Sequence, residues 1–102
     1  MNMVKHIILW QLRDELSSDE KVNVKAGIKE SLESLLTKID GLVEIRVETD
    51  GLTSSNADVM LYSVFENEDA LKAYAVHPAH VEVADTKVRP YTKTRLCLDF
   101  EV

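Results

Sequence analysis

The sequence predicts an α+β domain of ferredoxin-like βαββαβ order, with a four-stranded antiparallel sheet and helices on one face. Three observations predict it. Four stretches read as strands, at Val4–Leu12, Leu42–Thr49, Asp58–Phe65 and Thr94–Val102. A long segment between the first two spaces its apolar residues as a helix does, and a capped segment between the last two reads as a second helix. The resulting order is strand, helix, strand, strand, helix, strand.

Val4–Leu12 places Ile7 and Leu9 on one face and His6, Ile8, Trp10 and Leu12 on the other. Both faces are largely apolar, so both are expected to be covered, one by helices and one by a second layer. Ser17-Ser18-Asp19-Glu20 offers an N-cap and acidic residues for the first turn of a helix. Ile28, Leu32, Leu35, Leu36 and Ile39 then recur as its apolar stripe, and Asp40-Gly41 ends it. In Leu42–Thr49, Val43, Ile45 and Val47 alternate with Glu44, Arg46 and Glu48, as a half-buried strand requires. Asp50 to Asn56 is a polar loop, and Asp58–Phe65 is the third strand. Asn67 caps the second helix, which Pro78 ends near His77 before starting a short third helix reaching about Asp85. Thr94–Val102 closes the sheet, with Leu96, Leu98, Phe100 and Val102 on one face.

The length of 102 residues suits one domain spanning 1–102, and 45% hydrophobic residues suffice for a core. Twelve Lys and Arg against eighteen Asp and Glu leave a net charge of −6. That argues against a counterion-displacing basic stripe, so neither nucleic acid nor an anionic membrane is an expected partner. Cys97 is a lone cysteine, no basic-then-apolar leader precedes the first strand, and no apolar run reaches the length of a membrane span. A cytoplasmic protein is expected. With no Gly-rich phosphate loop, nucleophile elbow or paired cysteines, no cofactor is expected.

The segment Ala70 to Val83 concentrates the chemistry: Tyr74, His77 and His80 fall within seven positions around Pro78. That gathers three side chains capable of proton transfer at a helix break. The opening Met3-Val4-Lys5-His6-Ile7-Ile8-Leu9-Trp10, the strand Asp58 to Phe65, the block around His77-Pro78-Ala79-His80 and the ending Arg95 to Val102 together resemble the stress-responsive A/B-barrel (Dabb) family. The resemblance covers essentially the whole chain. It implies a homodimer in which two sheets pack face to face as an α+β barrel. One plant branch comprises polyketide cyclases similar to olivetolic acid cyclase. By that likeness the catalytic histidine falls on His80, the catalytic tyrosine on Tyr74 and the N-terminal histidine on His6. A further pocket histidine of those enzymes falls on Asp58, where an acidic residue would repel an enolate-like substrate.

Two functional readings follow. In the first, the protein is a homodimer joined through the sheet, stress-related or holding a small hydrophobic molecule between helices and sheet. In the second, it is a cofactor-independent lyase or cyclase. His80, near the start of the short helix, would stay neutral and act as base, and Tyr74 would donate a hydrogen bond to a developing oxyanion. His6, Asp58, Trp10, Tyr62 and His77 are the expected binding residues, with a His6–Asp58 pair at the pocket floor if their strand faces coincide. His77 would also cap the turn before Pro78. No metal site is expected, since His77 and His80 with Asp58 or Glu82 share no dependable face.

Overall fold

The computed structural model describes residues 2–102. Strand β1 spans Val4–Leu12, helix α1 Ser18–Glu33, β2 Leu42–Glu48, β3 Val59–Phe65, α2 Glu68–Val76, α3 Pro78–Val83 and β4 Thr92–Glu101. The strands form one antiparallel sheet in the order β2-β3-β1-β4. This is the ferredoxin-like fold that the order of elements predicts.

Local chemistry sets the helix ends. Ser17 Oγ accepts the Glu20 N–H at 3.1 Å while the Glu20 carboxylate accepts the Ser17 N–H at 3.0 Å, a reciprocal cap. Gly41 takes φ 84°, and a Cβ there would meet the Ala70 Cβ at 2.7 Å, so this tight entry into β2 requires glycine twice over. Asn67 Oδ1 accepts the Ala70 N–H at 2.8 Å and starts α2. At the break, the His77 N–H donates to the Tyr74 carbonyl and closes α2, and His77 Nδ1 accepts the Ala79 N–H to open α3. The histidine thus caps on both sides of Pro78, beyond the single turn expected of it.

The core lies between the sheet and the helices. Ile8, Trp10 and Leu12 from β1, Leu61 and Phe65 from β3 and Val47 from β2 pack on Ile28, Leu32 and Leu35 and on Tyr74. Each fully buried side chain of this size contributes roughly 1.5–3 kcal/mol relative to exposure. Two residues expected inside lie outside. Leu36 is 44% exposed because α1 ends in a tighter 3₁₀ turn, Ser34–Thr37, which rotates it off the apolar stripe while Leu35 and Ile39 stay buried. Val43 is exposed because β2 bulges there: Leu42 pairs with Phe65 and Glu44 already with Val64, so Leu42 takes the inward place.

The other sheet face is apolar and open in the single chain. Ile7 pairs with Leu98 and Tyr62, and Leu9 with Leu96 and Met60, so these side chains share the face opposite His6. Leu96 and Leu98 are 63% and 64% exposed. Beyond Val83, a wide turn over Ala84–Val88 and a 3₁₀ turn over Arg89–Tyr91 carry the helical segment past its expected end near Asp85, as far as Tyr91, and deliver the chain to β4 at Thr92.

Candidate active site

β1 directs His6, Ile8 and Trp10 toward the helices, and β4 lies beside it in register. His6 therefore stands across from Asp99, Ile8 from Cys97 and Trp10 from Arg95. The strand alternation that sends Leu96, Leu98 and Phe100 outward sends Arg95, Cys97 and Asp99 to the helix side. α2 and α3 supply the facing residues Tyr74 and His80.

A cavity of ≈ 400 Å³ opens between sheet and helices, walled by His6, Ile8, Trp10, Leu61, His80 and Arg95 among others. A second, of ≈ 670 Å³, lies between β4 and α2 and shares His6 and Arg95 with the first. Trp10 and Leu71 stand in the cavity walls, and Met60 and Tyr62 face the other way.

His6 is buried, and its Nδ1 is in direct hydrogen-bond contact with Asp99 Oδ1. A carboxylate accepts, so Nδ1 carries the hydrogen, and whenever the ring is neutral Nε2 keeps the lone pair. Ser63 Oγ, also buried, donates to the His6 carbonyl at 2.9 Å and holds the backbone. His80 Nδ1 lies 3.3 Å from the Ala75 carbonyl. By the same logic its Nε2 is left to accept a proton. Burial pushes the His80 pKa below the ordinary 6.5; its contact with the Ala75 carbonyl opposes that, and the neighbouring His6, Arg89 and Arg95 lower it further. His80 is therefore held toward its neutral, basic form.

Tyr74 is 1% exposed, and its ring lies against His80 at 4.2 Å between centroids and against Phe65 at 4.9 Å. Burial raises its pKa well above the ordinary 10, only partly offset by Arg95. Its hydroxyl has no hydrogen-bond partner among the described residues, and Tyr74 is not in the wall of either cavity. Of the two stacked residues, it is His80 that walls the smaller cavity.

The structure separates residues that strand parity had left together. Asp58 precedes β3, where its Oδ2 accepts the Leu12 N–H at 2.8 Å and its own N–H donates to the Trp10 carbonyl at 2.9 Å. It fastens the end of the β1–β3 ladder and forms no pair with His6. Tyr62 is on the outer face, with Arg46 4.5 Å and Lys5 5.3 Å from its ring centroid, in cation–π contact. Neither residue walls the helix-side cavities. The carboxylate that serves His6 is Asp99, and the cation beside it is Arg95. Sequence reading passed over both: their alternation with Leu96 and Leu98 was legible, but not that β4 lies beside β1.

Potential metal-donor atoms of His6, Cys97 and Asp99 lie within 4.8 Å of one another. His6 and Asp99 are already in hydrogen-bond contact and would have to part to share an ion. Burial and the nearby Asp99 push the Cys97 thiol pKa up, so Cys97 is a thiol rather than a nucleophilic thiolate.

Residues 4–102 match the family model described as Stress responsive A/B Barrel Domain, Dabb. The chain belongs to the Dabb family. A Dabb-domain relative, the Arabidopsis thaliana stress-response A/B barrel domain-containing protein DABB1, is 32% identical over 85 residues, covering 80% of this chain. The chain spans about two fifths (39%) of that protein's length. A solved structure from Bacteroides fragilis, described as a dimeric protein of unknown function with a ferredoxin-like fold, is 38% identical over 98% of this chain and 96% of its own, with a TM-score of 0.91. The hydroxynitrile lyase of Passiflora edulis shares the fold at 16% identity, covering 98% of this chain and 93% of its own with a TM-score of 0.74. Among the described residues, no helix of this Dabb chain is long and apolar enough to cross a membrane.

Proposed function

We propose that this Dabb protein is a cytoplasmic homodimer, joined through the outer sheet face, that binds a small, largely apolar molecule between helices and sheet. The observation that carries the reading is the open ≈ 400 Å³ cavity, with apolar walls from Ile8, Trp10, Leu61 and Val88 and a polar edge from His6, His80 and Arg95. That combination suits a small ligand held by its body and oriented by a few polar contacts. The exposed Leu96 and Leu98, and the dimeric Bacteroides fragilis relative, support assembly through the opposite face. Trp10 is the sole tryptophan of the chain and stands in the cavity wall, so its fluorescence reports occupancy. Titration with small aromatic compounds is expected to shift Trp10 emission saturably. An unchanged emission throughout, together with native mass spectra showing only bare protein, would refute the reading.

A second reading is favoured by His80. A neutral imidazole with a free Nε2 at the cavity suits a cofactor-independent lyase or cyclase that removes a proton next to a carbonyl. The shared fold of a hydroxynitrile lyase is consistent with such chemistry. In this reading His80 is the base, His6 lines the pocket, and Tyr74, whose ring packs against His80, is the hydrogen-bond donor to the developing oxyanion. Proton exchange into a bound aryl ketone, followed by NMR in deuterated buffer, tests it. The exchange should fall at least ~100-fold in His80→Gln, the range typical of losing a general base. Equal exchange in both proteins would exclude His80 as the base.

A further inference from the structure

We propose that the ligand of the helix-to-sheet cavity is a small organic carboxylate, and that the Arg95 guanidinium is the group that recognises it. The inference rests on the ligand-binding reading of the cavity and specifies the ligand's chemistry.

The cavity's charge is the reverse of the protein's. The chain has a net charge of −6, yet the walls of the ≈ 400 Å³ cavity contain Arg89, Arg95, His6 and His80 and no aspartate or glutamate. Of these groups, Arg89 is ion-paired with Asp85, one turn before it. His6 is occupied by Asp99. His80 is held toward neutrality. Arg95 forms no ion pair among the described residues. It is the persistent positive charge of this cavity's wall that has no ion-pair partner.

No neighbouring carboxylate is ion-paired with Arg95 among the described residues. Glu68, Asp99 and Glu101 wall the larger cavity, which shares Arg95, but each is engaged elsewhere. Glu68 pairs with Lys72, Asp99 contacts His6, and Glu101 accepts from the Asn2 amide at 2.9 Å. An arginine without an ion-pair partner, beside the Cys97 thiol and across the ladder from Trp10, stands at the neck of two cavities and offers its planar donor fork to whatever enters. A planar carboxylate matches that fork with two parallel hydrogen bonds, while the apolar walls take the rest of the molecule. A cationic ligand would meet Arg95 without a counter-charge in the wall of this cavity, and a neutral one would forgo the ion pair.

The test compares 3-phenylpropanoate with 3-phenylpropanamide, which share a shape and differ in charge, by Trp10 fluorescence and calorimetry on the intact dimer. Arg95→Gln and Arg89→Gln each remove one positive charge and serve as variant and control. The wild-type protein and Arg89→Gln are expected to bind the acid about 10- to 100-fold more tightly than the amide, the weight of a charge-assisted bidentate contact. Arg95→Gln is expected to lose that preference while still binding the amide, which also shows that it folds. Equal binding of acid and amide by the wild-type protein, or a preference that survives in Arg95→Gln, would overturn the assignment and leave the cavity reading intact. A preference lost equally in Arg89→Gln would reduce Arg95 to one of several general charges, and overturn it too. If neither probe nor a neutral aromatic such as indole binds, the ligand-binding reading itself fails and takes this inference with it.

Discussion

Asp99 stands directly across the β1–β4 ladder from His6 and receives the hydrogen of its Nδ1. The two residues are ninety-three positions apart in sequence and are joined by strand register alone. Because the carboxylate fixes which nitrogen carries the proton, it also fixes which one faces the cavity as an acceptor.

Asp99→Asn should therefore disturb the tautomer of His6 more than the fold. The Asp99 side chain is about half exposed, so a loss of about 1 kcal/mol in stability is expected, below the usual range for a bond to a buried charge. Nitrogen chemical shifts of the imidazole should show Nδ1–H in the wild type and a tautomer mixture in the variant. An unmixed spectrum would mean that Asp99 does not orient the ring.

Tyr74→Phe and Tyr74→Ala should part company. The hydroxyl is buried without a partner, so removing it is expected to be neutral or to stabilise by up to ~1 kcal/mol. Removing the ring, which packs on Phe65 and His80, should cost about 3–5 kcal/mol. Urea unfolding measures both. A clearly destabilised Tyr74→Phe would reveal a hydrogen bond that the hydroxyl makes in solution.

The depressed pKa of His80 sets a pH dependence with a definite sign. Its unfolded value is the ordinary 6.5 and its folded value is lower, so in the window between them the unfolded chain binds more protons. The corresponding stability is fully present above 6.5 and is lost as pH falls toward and through the folded value. Comparing urea midpoints across that window, His80→Gln should show a shallower acid decline than the wild type. Parallel declines would place the acid sensitivity elsewhere.

Much of this was legible in the sequence, and the failures have one origin. The extents of β1 and α2, the caps at Ser17 and Asn67, and the break at Pro78 follow from short-range chemistry and stand within a residue or two of expectation. Parity along a strand shows which residues share a face, but not which face meets the helices. Asp58 and Tyr62 were grouped with His6 for want of that fact, although the β1–β3 register puts Tyr62 opposite Ile7. Leu36 and Val43 miss the core for a related reason: a 3₁₀ turn and a bulge each shift the count by less than one period. Arg95 and Asp99 were invisible as site residues because their importance comes from β4 lying beside β1, a tertiary relation.

Leu9→Lys tests the sheet interface. Leu9 lies on the outer face between Leu96 and Met60, and an unpaired ammonium there would be stranded in an apolar seam. Dimer affinity should weaken at least ~100-fold, about 3 kcal/mol, read as a shift to monomer in light scattering. An intact dimer would show that the subunits meet elsewhere.

The alternation of β4 has a consequence for how such a protein changes over time. Arg95, Cys97 and Asp99 belong to the cavities, while Leu96 and Leu98 belong to the opposite surface. Point substitutions at the odd-numbered positions can rewrite ligand chemistry while leaving the even-numbered surface untouched, so new specificities need not relearn how to assemble. A one-residue insertion or deletion has the contrary effect, since it would swing an arginine and an aspartate into the apolar surface. Subunit association would then act as a proofreading step, admitting chains whose last strand is in register and rejecting those whose cavity has been scrambled.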